Sequence, residues 1–230
     1  NNTSLFPDPA VTYTSDSATG SLSYTPVSNA NGSAVITVTV TDDGGTEGGS
    51  VNTTTNTFTV TVTDVNDEPS FTKGSDITVL EDFGSSTTTG WATSISAGPS
   101  DESGQALTFA VANNNNSSLF SSQPAISSSG QLTFTPATNA NGSATVTINL
   151  SDDGGADDTS PNQTFTINVT AVNDAPVIDA ISNPAAILED AGSQTINLAG
   201  IGDGDAGTAQ ALTVTAASSN TSIIPHPTVT

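Results

Sequence analysis

Period-two alternation of apolar and polar residues, turns built on Asn-Gly, Asp-Gly and Gly-Gly, and an internal repeat of about 107 residues predict an all-β protein made of tandem β-sandwich repeats. The repeat is the firmest of the three. TPVSNANGSAVITVTVTDDGG (25–45) aligns without gaps to TPATNANGSATVTINLSDDGG (135–155), identical at 13 of 21 positions. TNTFTVTVTDVNDEP (55–69) then matches NQTFTINVTAVNDAP (162–176), and VLED (79–82) matches ILED (187–190). The strings NTSLFPDPAVT (2–12) and NTSIIPHPTVT (220–230) bring the last segment into the phase of the first. Residues 1–66 therefore read as the C-terminal part of one repeat, 67–174 as a complete repeat, and 175–230 as the N-terminal part of a further one. A sandwich short of strands exposes apolar faces and unpaired edges. The expectation is a window from a longer array or, second, a subunit completed head to tail by identical neighbours through strand exchange.

The strands follow from the alternation. Ile36, Val38 and Val40 share one face while Thr37, Thr39 and Thr41 share the other. Phe58, Val60 and Val62 repeat the pattern, as do Val146, Ile148 and Leu150, then Phe165, Ile167 and Val169. Shorter strands are expected through Leu107, Phe109 and Val111, through Leu132 and Phe134, and through Leu212 and Val214. About seven short strands per repeat is the pattern of an immunoglobulin-like sandwich, here without its cysteine pair. No helix of substance is expected. Trp91 reads as a core anchor of the complete repeat, with an exposed sugar-stacking platform as the lesser reading.

Composition removes several functions. Against 23 acidic residues stands one base, Lys73, so nothing can neutralise the phosphates of a nucleic acid. With no cysteine, disulfides are excluded. No stretch approaches the roughly 18 apolar residues of a membrane span, so no membrane insertion is expected. The single His226 lies in a Pro-flanked loop, and with one His no triad of nucleophile, base and orienting group can be assembled. Acid pairs recur with the repeat, as structural sites do, and no enzyme activity is expected.

The acids gather at strand ends and turns. They are Asp42 and Asp43; Asp64, Asn66 and Asp67 of DVNDEP; Glu81; and Asp101 with Glu102. The next repeat has Asp152 and Asp153, Asn173 and Asp174 of AVNDAP, Glu189, and Asp203 with Asp205. Carboxylates, an Asn and irregular backbone meeting at each junction suit calcium, which takes six to eight oxygens at relaxed geometry. The ligands that transition metals prefer, Cys and clustered His, are missing.

DVNDEPSF (64–71) resembles the linker of cadherin repeats. The whole pattern of alternating strand, VNDAP, and LED about twelve residues on is similar to the bacterial cadherin-like tandem repeats of large surface adhesins and secreted fibres. The resemblance covers the whole chain. It implies interdomain calcium, with Asp64, Asn66 and Asp67 as linker ligands, Glu81 as the ligand from the following repeat, and Asp203 with Asp205 as the Asp-x-Asp pair. Two departures imply that ion number and affinity differ between joints: Ala171 replaces the first linker acid, and Asp101-Glu102-Ser103 lacks the full Asp-x-Asp form. GDGDAG (202–207) also hints at the calcium-binding nonapeptide of β-roll toxins, but a single copy reads as a loop.

The expected function is an extracellular or cell-surface stalk or fibre with calcium-stiffened joints. Its partners are neighbouring repeats or identical subunits, with a cell surface or glycan engaged through regions outside these residues. The alternatives are the self-polymerising subunit and a carbohydrate- or surface-binding module.

Overall fold

The computed structural model describes residues 2–45, 47–49, 51–205 and 209–230. The described chain is nearly all β, with thirteen strands and three single-turn 3-10 helices. Val, Ile and Thr at alternate positions suit a pleated, half-covered surface and disfavour helix. By packing, the chain falls into two compact units, one of residues 1–72, 94–109 and 149–161 and one of residues 73–93, 110–148 and 162–230. No described helix is long and apolar enough to cross a membrane.

In the first unit, β1 (Ala10–Thr12) pairs antiparallel with β2 (Ser21–Ser23), and β3 (Gly32–Thr41) with β4 (Thr53–Val62). The longer hairpin keeps one register from Gly32↔Val62 to Thr41↔Thr53. Ala34 and Ile36 join Leu5 and Phe6 in a small buried core, with Leu22, Ala30, Val38, Val60 and Val62 packed against it. The expected inward row fades along β3: Ile36 is buried, Val38 half-buried and Val40 62% exposed. This hairpin is a two-stranded sheet of its own, so among the described residues its far end has no third strand beside it. A short pair, β5 (Ser70–Thr72) with β8 (Thr93–Ser96), completes this unit, where Phe71 and Phe109 meet edge to face at 5.0 Å.

The second unit is sandwich-like. Its larger sheet has the order β6 (Ile77–Leu80), β13 (Gln163–Thr170), β12 (Gly142–Ser151), β9 (Thr108–Asn114). Its smaller sheet runs β10 (Phe120–Ile126), β11 (Leu132–Pro136), β7 (Ser86–Thr88). Alternation is fully expressed here: Ala144, Val146 and Ile148 of β12 and Phe165, Ile167 and Val169 of β13 are buried, as are Leu132 and Phe134 of β11. Trp91 is buried as expected of a core anchor, its ring 4.4 Å from that of Phe165 and its indole N–H donating to the Ser75 carbonyl at 2.9 Å. It is not available as an exposed sugar platform. Gly74 makes room for it, since a Cβ there would lie 2.6 Å from the Trp91 carbonyl oxygen.

Two expectations change. Nine strands, β5 to β13, lie between residues 70 and 170 where about seven were expected. Three of them, β5, β7 and β8, are too short for alternation to show. Conversely, the strand expected through Leu212 and Val214 does not form, and the described residues of 171–230 carry one isolated bridge, Val177↔Gly202. The equivalent strand β9 lies beside β12, and no equivalent of β12 occurs within residues 175–230. A strand without a neighbour has no ladder to join.

Candidate metal centre

The pairing of β6 with β13 is parallel, from Ile167↔Ile77 to Thr170↔Leu80. Two parallel strands release their chains at the same end of the sheet. Glu81 therefore arrives beside the linker 171–174, its N–H donating to the Thr170 carbonyl at 2.9 Å. The residue is buried, at 2% exposure. Oε1 accepts the Val172 N–H at 2.7 Å and Oε2 accepts an amide hydrogen of Asn141 at 3.2 Å. Two residues on, the Asp174 N–H donates to Oδ1 of Asp205 at 2.7 Å.

Glu81, Asp174 and Asp205 thus each offer an oxygen within 4.8 Å of the others, the one such acidic group among the described residues. The loop bearing Asp205 is fastened from both sides. Asn139 donates its side-chain amide to the Gly204 carbonyl at 2.8 Å and its own N–H to Asp82 at 3.1 Å, and the Gln210 N–H donates to Asp203 at 2.7 Å. Asn139 holds φ at 53°, a left-handed conformation that Asn tolerates better than most residues. Gly204 is required where it stands, since φ is 87° and a Cβ would run into the Ala175 carbonyl.

Burial first, then the charges of Asp82, Asp205 and Glu81, hold the Asp174 carboxyl above its ordinary range. A native carboxyl pKa above the unfolded one favours folding while the group is protonated, and this contribution is lost as pH rises through the raised value. Without a cation, the cluster should therefore grow more tolerant as pH falls from neutral toward that value. Asp174→Asn is expected to raise the melting temperature in chelator and to weaken cation binding in the same protein. Calorimetry with and without cation checks both signs.

The donor set suits a hard cation. Every ligand atom is oxygen, and Oδ2 of Asp174 is buried with no hydrogen-bond partner.

The first linker repeats part of this plan. The Asp67 N–H donates to Oε1 of Glu102 at 2.6 Å, as Asp174 does to Asp205. Asn66 donates to the Asp67 carbonyl at 3.3 Å, as Asn173 does to Asp174 at 3.0 Å. Asn66 also donates to the Ala156 carbonyl at 2.9 Å and to Oδ1 of Asp152 at 3.3 Å, and it accepts from Gln105 at 2.7 Å. Asp152, which is buried, also caps the Gly154 N–H at 2.9 Å, and Asp153 accepts the Ala106 N–H at 2.8 Å. Asn31 bridges Asp64 at 3.1 Å and Asp101 at 2.7 Å. Oε2 of Glu102 and Oδ2 of Asp152 are buried without a hydrogen-bond partner. Gly154 lies against this network, and a Cβ there would overlap Oδ1 of the Asn66 side chain. Gly154→Ala is expected to cost about 1–3 kcal/mol of stability in urea unfolding; an unchanged midpoint would show that the network yields freely.

The remaining expected ligands are distributed otherwise. Glu81, expected to serve the linker that precedes it through Asp64, Asn66 and Asp67, instead meets the linker at the end of its own repeat, because β6 runs parallel to β13. Asp42 caps the Gly44 N–H at 2.9 Å, and both it and Asp43 are exposed. Glu189 is exposed. Ala206 and Gly207 of the GDGDAG string lie outside the described residues. Sequence reasoning passed over Asn31, Asn141, Gln105 and Gln210 as partners of the acids. The signals were there, since NANGS recurs at 29–33 and 139–143, and QAL recurs after the acids at 105–107 and 210–212.

Fold and site together define an all-β, sandwich-like protein whose acidic side chains collect where strands end. No protein-family model matches the chain, and no curated protein matches it.

Proposed function

We propose that this chain is part of an extracellular structural array, a stalk or fibre of adhesin type, whose repeats are locked in line by calcium at their joints. One observation carries the reading. Glu81 from the start of a repeat, Asp174 from the linker at its end and Asp205 from the next repeat bring their oxygens within 4.8 Å. Three elements of two repeats are thus tied to one point, and carboxylates this close repel unless a cation joins them. Calcium supplies the opposing charge and up to eight coordination places. Glu81, Asp174 and Asp205 would hold it at the second joint. Asp67, Glu102 and the neighbouring Asp64, Asn66, Asp101 and Asp152 are the candidates at the first. The protein's own part is to hold the acceptors in place through the Val172 N–H, Asn141 and Asn139.

The reading is structural rather than catalytic. The one histidine, His226, accepts the Ser218 N–H through Nδ1 at 3.1 Å, a loop contact away from the acidic cluster in sequence. Small-angle scattering of this chain in calcium and in chelator, with mass followed by light scattering, tests the function. Stiffening and extension in calcium at constant mass are expected. A profile unchanged by calcium would overturn the proposal and leave the acids as solvated surface.

A further inference from the structure

Two turns of the same construction lead into the long strands β3 and β12, and each ends in an Asn-Gly dipeptide, Asn31-Gly32 and Asn141-Gly142, the two in the chain. The fold imposes this pairing. Asn29 and Asn139 hold φ at 57° and 53°, and Gly32 and Gly142 hold φ at 123° and 130°, a region that residues with a side chain rarely enter. A Cβ at either glycine would meet nothing within 4 Å, so backbone conformation, not space, requires glycine there.

The asparagine of each pair is tied to the acids of its own cluster. Asn141 donates its side-chain amide to Oε2 of the buried Glu81 at 3.2 Å. Asn31 donates to Oδ1 of Asp64 at 3.1 Å and to Oδ2 of Asp101 at 2.7 Å. Each amide is thus a neutral donor set against carboxylates. It is also chemically labile, because the glycine that follows has no side chain to shield its backbone nitrogen.

We propose that Asn31 and Asn141 are sites of spontaneous deamidation, and that the carboxylate left at each makes its cluster more dependent on a cation. The backbone nitrogen of Gly32 or Gly142 gives up its proton to solvent base and attacks Cγ of the preceding asparagine. The bond from Cγ to the side-chain nitrogen breaks, ammonia leaves with a proton from water, and a cyclic succinimide remains. Water then opens the ring at one carbonyl or the other, giving aspartate or isoaspartate and releasing a proton. No oxidant or reductant takes part. The extra main-chain carbon of isoaspartate falls just before β3 or β12, outside the first pairs Gly32↔Val62 and Gly142↔Val169, so both ladders keep their register.

The hydrogen bonds to the acids slow the reaction and do not forbid it, since turns open locally more often than the chain unfolds. They also fix its consequence. Where a donor stood, residue 141 now faces Glu81, and residue 31 faces Asp64 and Asp101, as a like charge. A hard cation is the group that holds such oxygens together. The modification follows from the turn itself; its link to cation dependence rests on the joint reading given above.

The test ages the whole chain in mildly alkaline buffer and maps it after cleavage at apolar residues. Peptides holding residues 31 and 141 are expected to gain the mass of an amide-to-acid change, and to become substrates of an isoaspartyl methyltransferase, before peptides holding any other asparagine. Conversion there no earlier than at Asn-Ser and Asn-Thr sites such as Asn116 and Asn220 overturns the modification. Asn31→Asp and Asn141→Asp carry the aspartate product from the outset, and their thermal unfolding in calcium and in chelator reads the consequence. Each is expected to melt several degrees below wild type in chelator and to recover more than wild type does when calcium is added. If calcium raises the wild type and raises neither variant further, the consequence fails and the joint reading stands. If calcium raises none of the three, the joint reading fails and the consequence with it, while the peptide map still decides the modification. Should Asn141→Asp not fold, Asn31→Asp and the aged wild-type chain give the same comparison.

Discussion

Calcium at about a hundredfold excess over its Kd is expected to stabilise the wild-type chain by about 2.7 kcal/mol relative to chelator, and Glu81→Ala is expected to remove that increment. The variant should also be weaker without any cation. Glu81 is the acceptor for the Val172 N–H, and leaving such a donor unmatched at a part-buried site costs about 1–3 kcal/mol. Glu81→Gln separates the two roles. It keeps an acceptor for Val172 and recovers most of the stability in chelator, but a neutral amide is a poor substitute for a carboxylate at a calcium site. Thermal unfolding of the three proteins in calcium and in chelator is the measurement. If Glu81→Ala keeps the full calcium increment, the cluster with Asp174 and Asp205 is not where the cation acts.

The second large effect is expected from Trp91→Ala, at about 3–5 kcal/mol. The change removes the ring that lies on Phe165 and leaves the Ser75 carbonyl without its indole donor, in a site too tightly enclosed by Gly74 to collapse easily. Because this is the only tryptophan, wild-type fluorescence should report a buried indole and lose that character in step with urea unfolding. A loss below about 1 kcal/mol would be in the range of exposed substitutions and would remove Trp91 from the core. Deletion of the Phe58 ring offers an internal comparison. Phe58 occupies the place of Phe165 but is 42% exposed, so Phe58→Ala should cost clearly less than Phe165→Ala.

The sequence by itself determined the class of fold, the repeat and the neighbourhoods of the acids. Alternation is a local property, so the buried rows of β12 and β13 were legible residue by residue, and gapless repetition placed DVNDEP and AVNDAP at equivalent points. Tertiary structure decided which acid meets which. The resemblance implied Glu81 beside Asp67, whereas its carboxylate lies with those of Asp174 and Asp205. The direction of one strand reversed the choice, because parallel pairing of β6 with β13 sends both chains out at the same end. Burial was likewise not written in the pattern. Val40 and Leu150 occupy equivalent positions in nearly identical strings, yet one is 62% exposed and the other fully buried. A strand's inward face is buried only when a neighbouring strand or an opposing sheet covers it, and those come from residues that the local pattern does not contain.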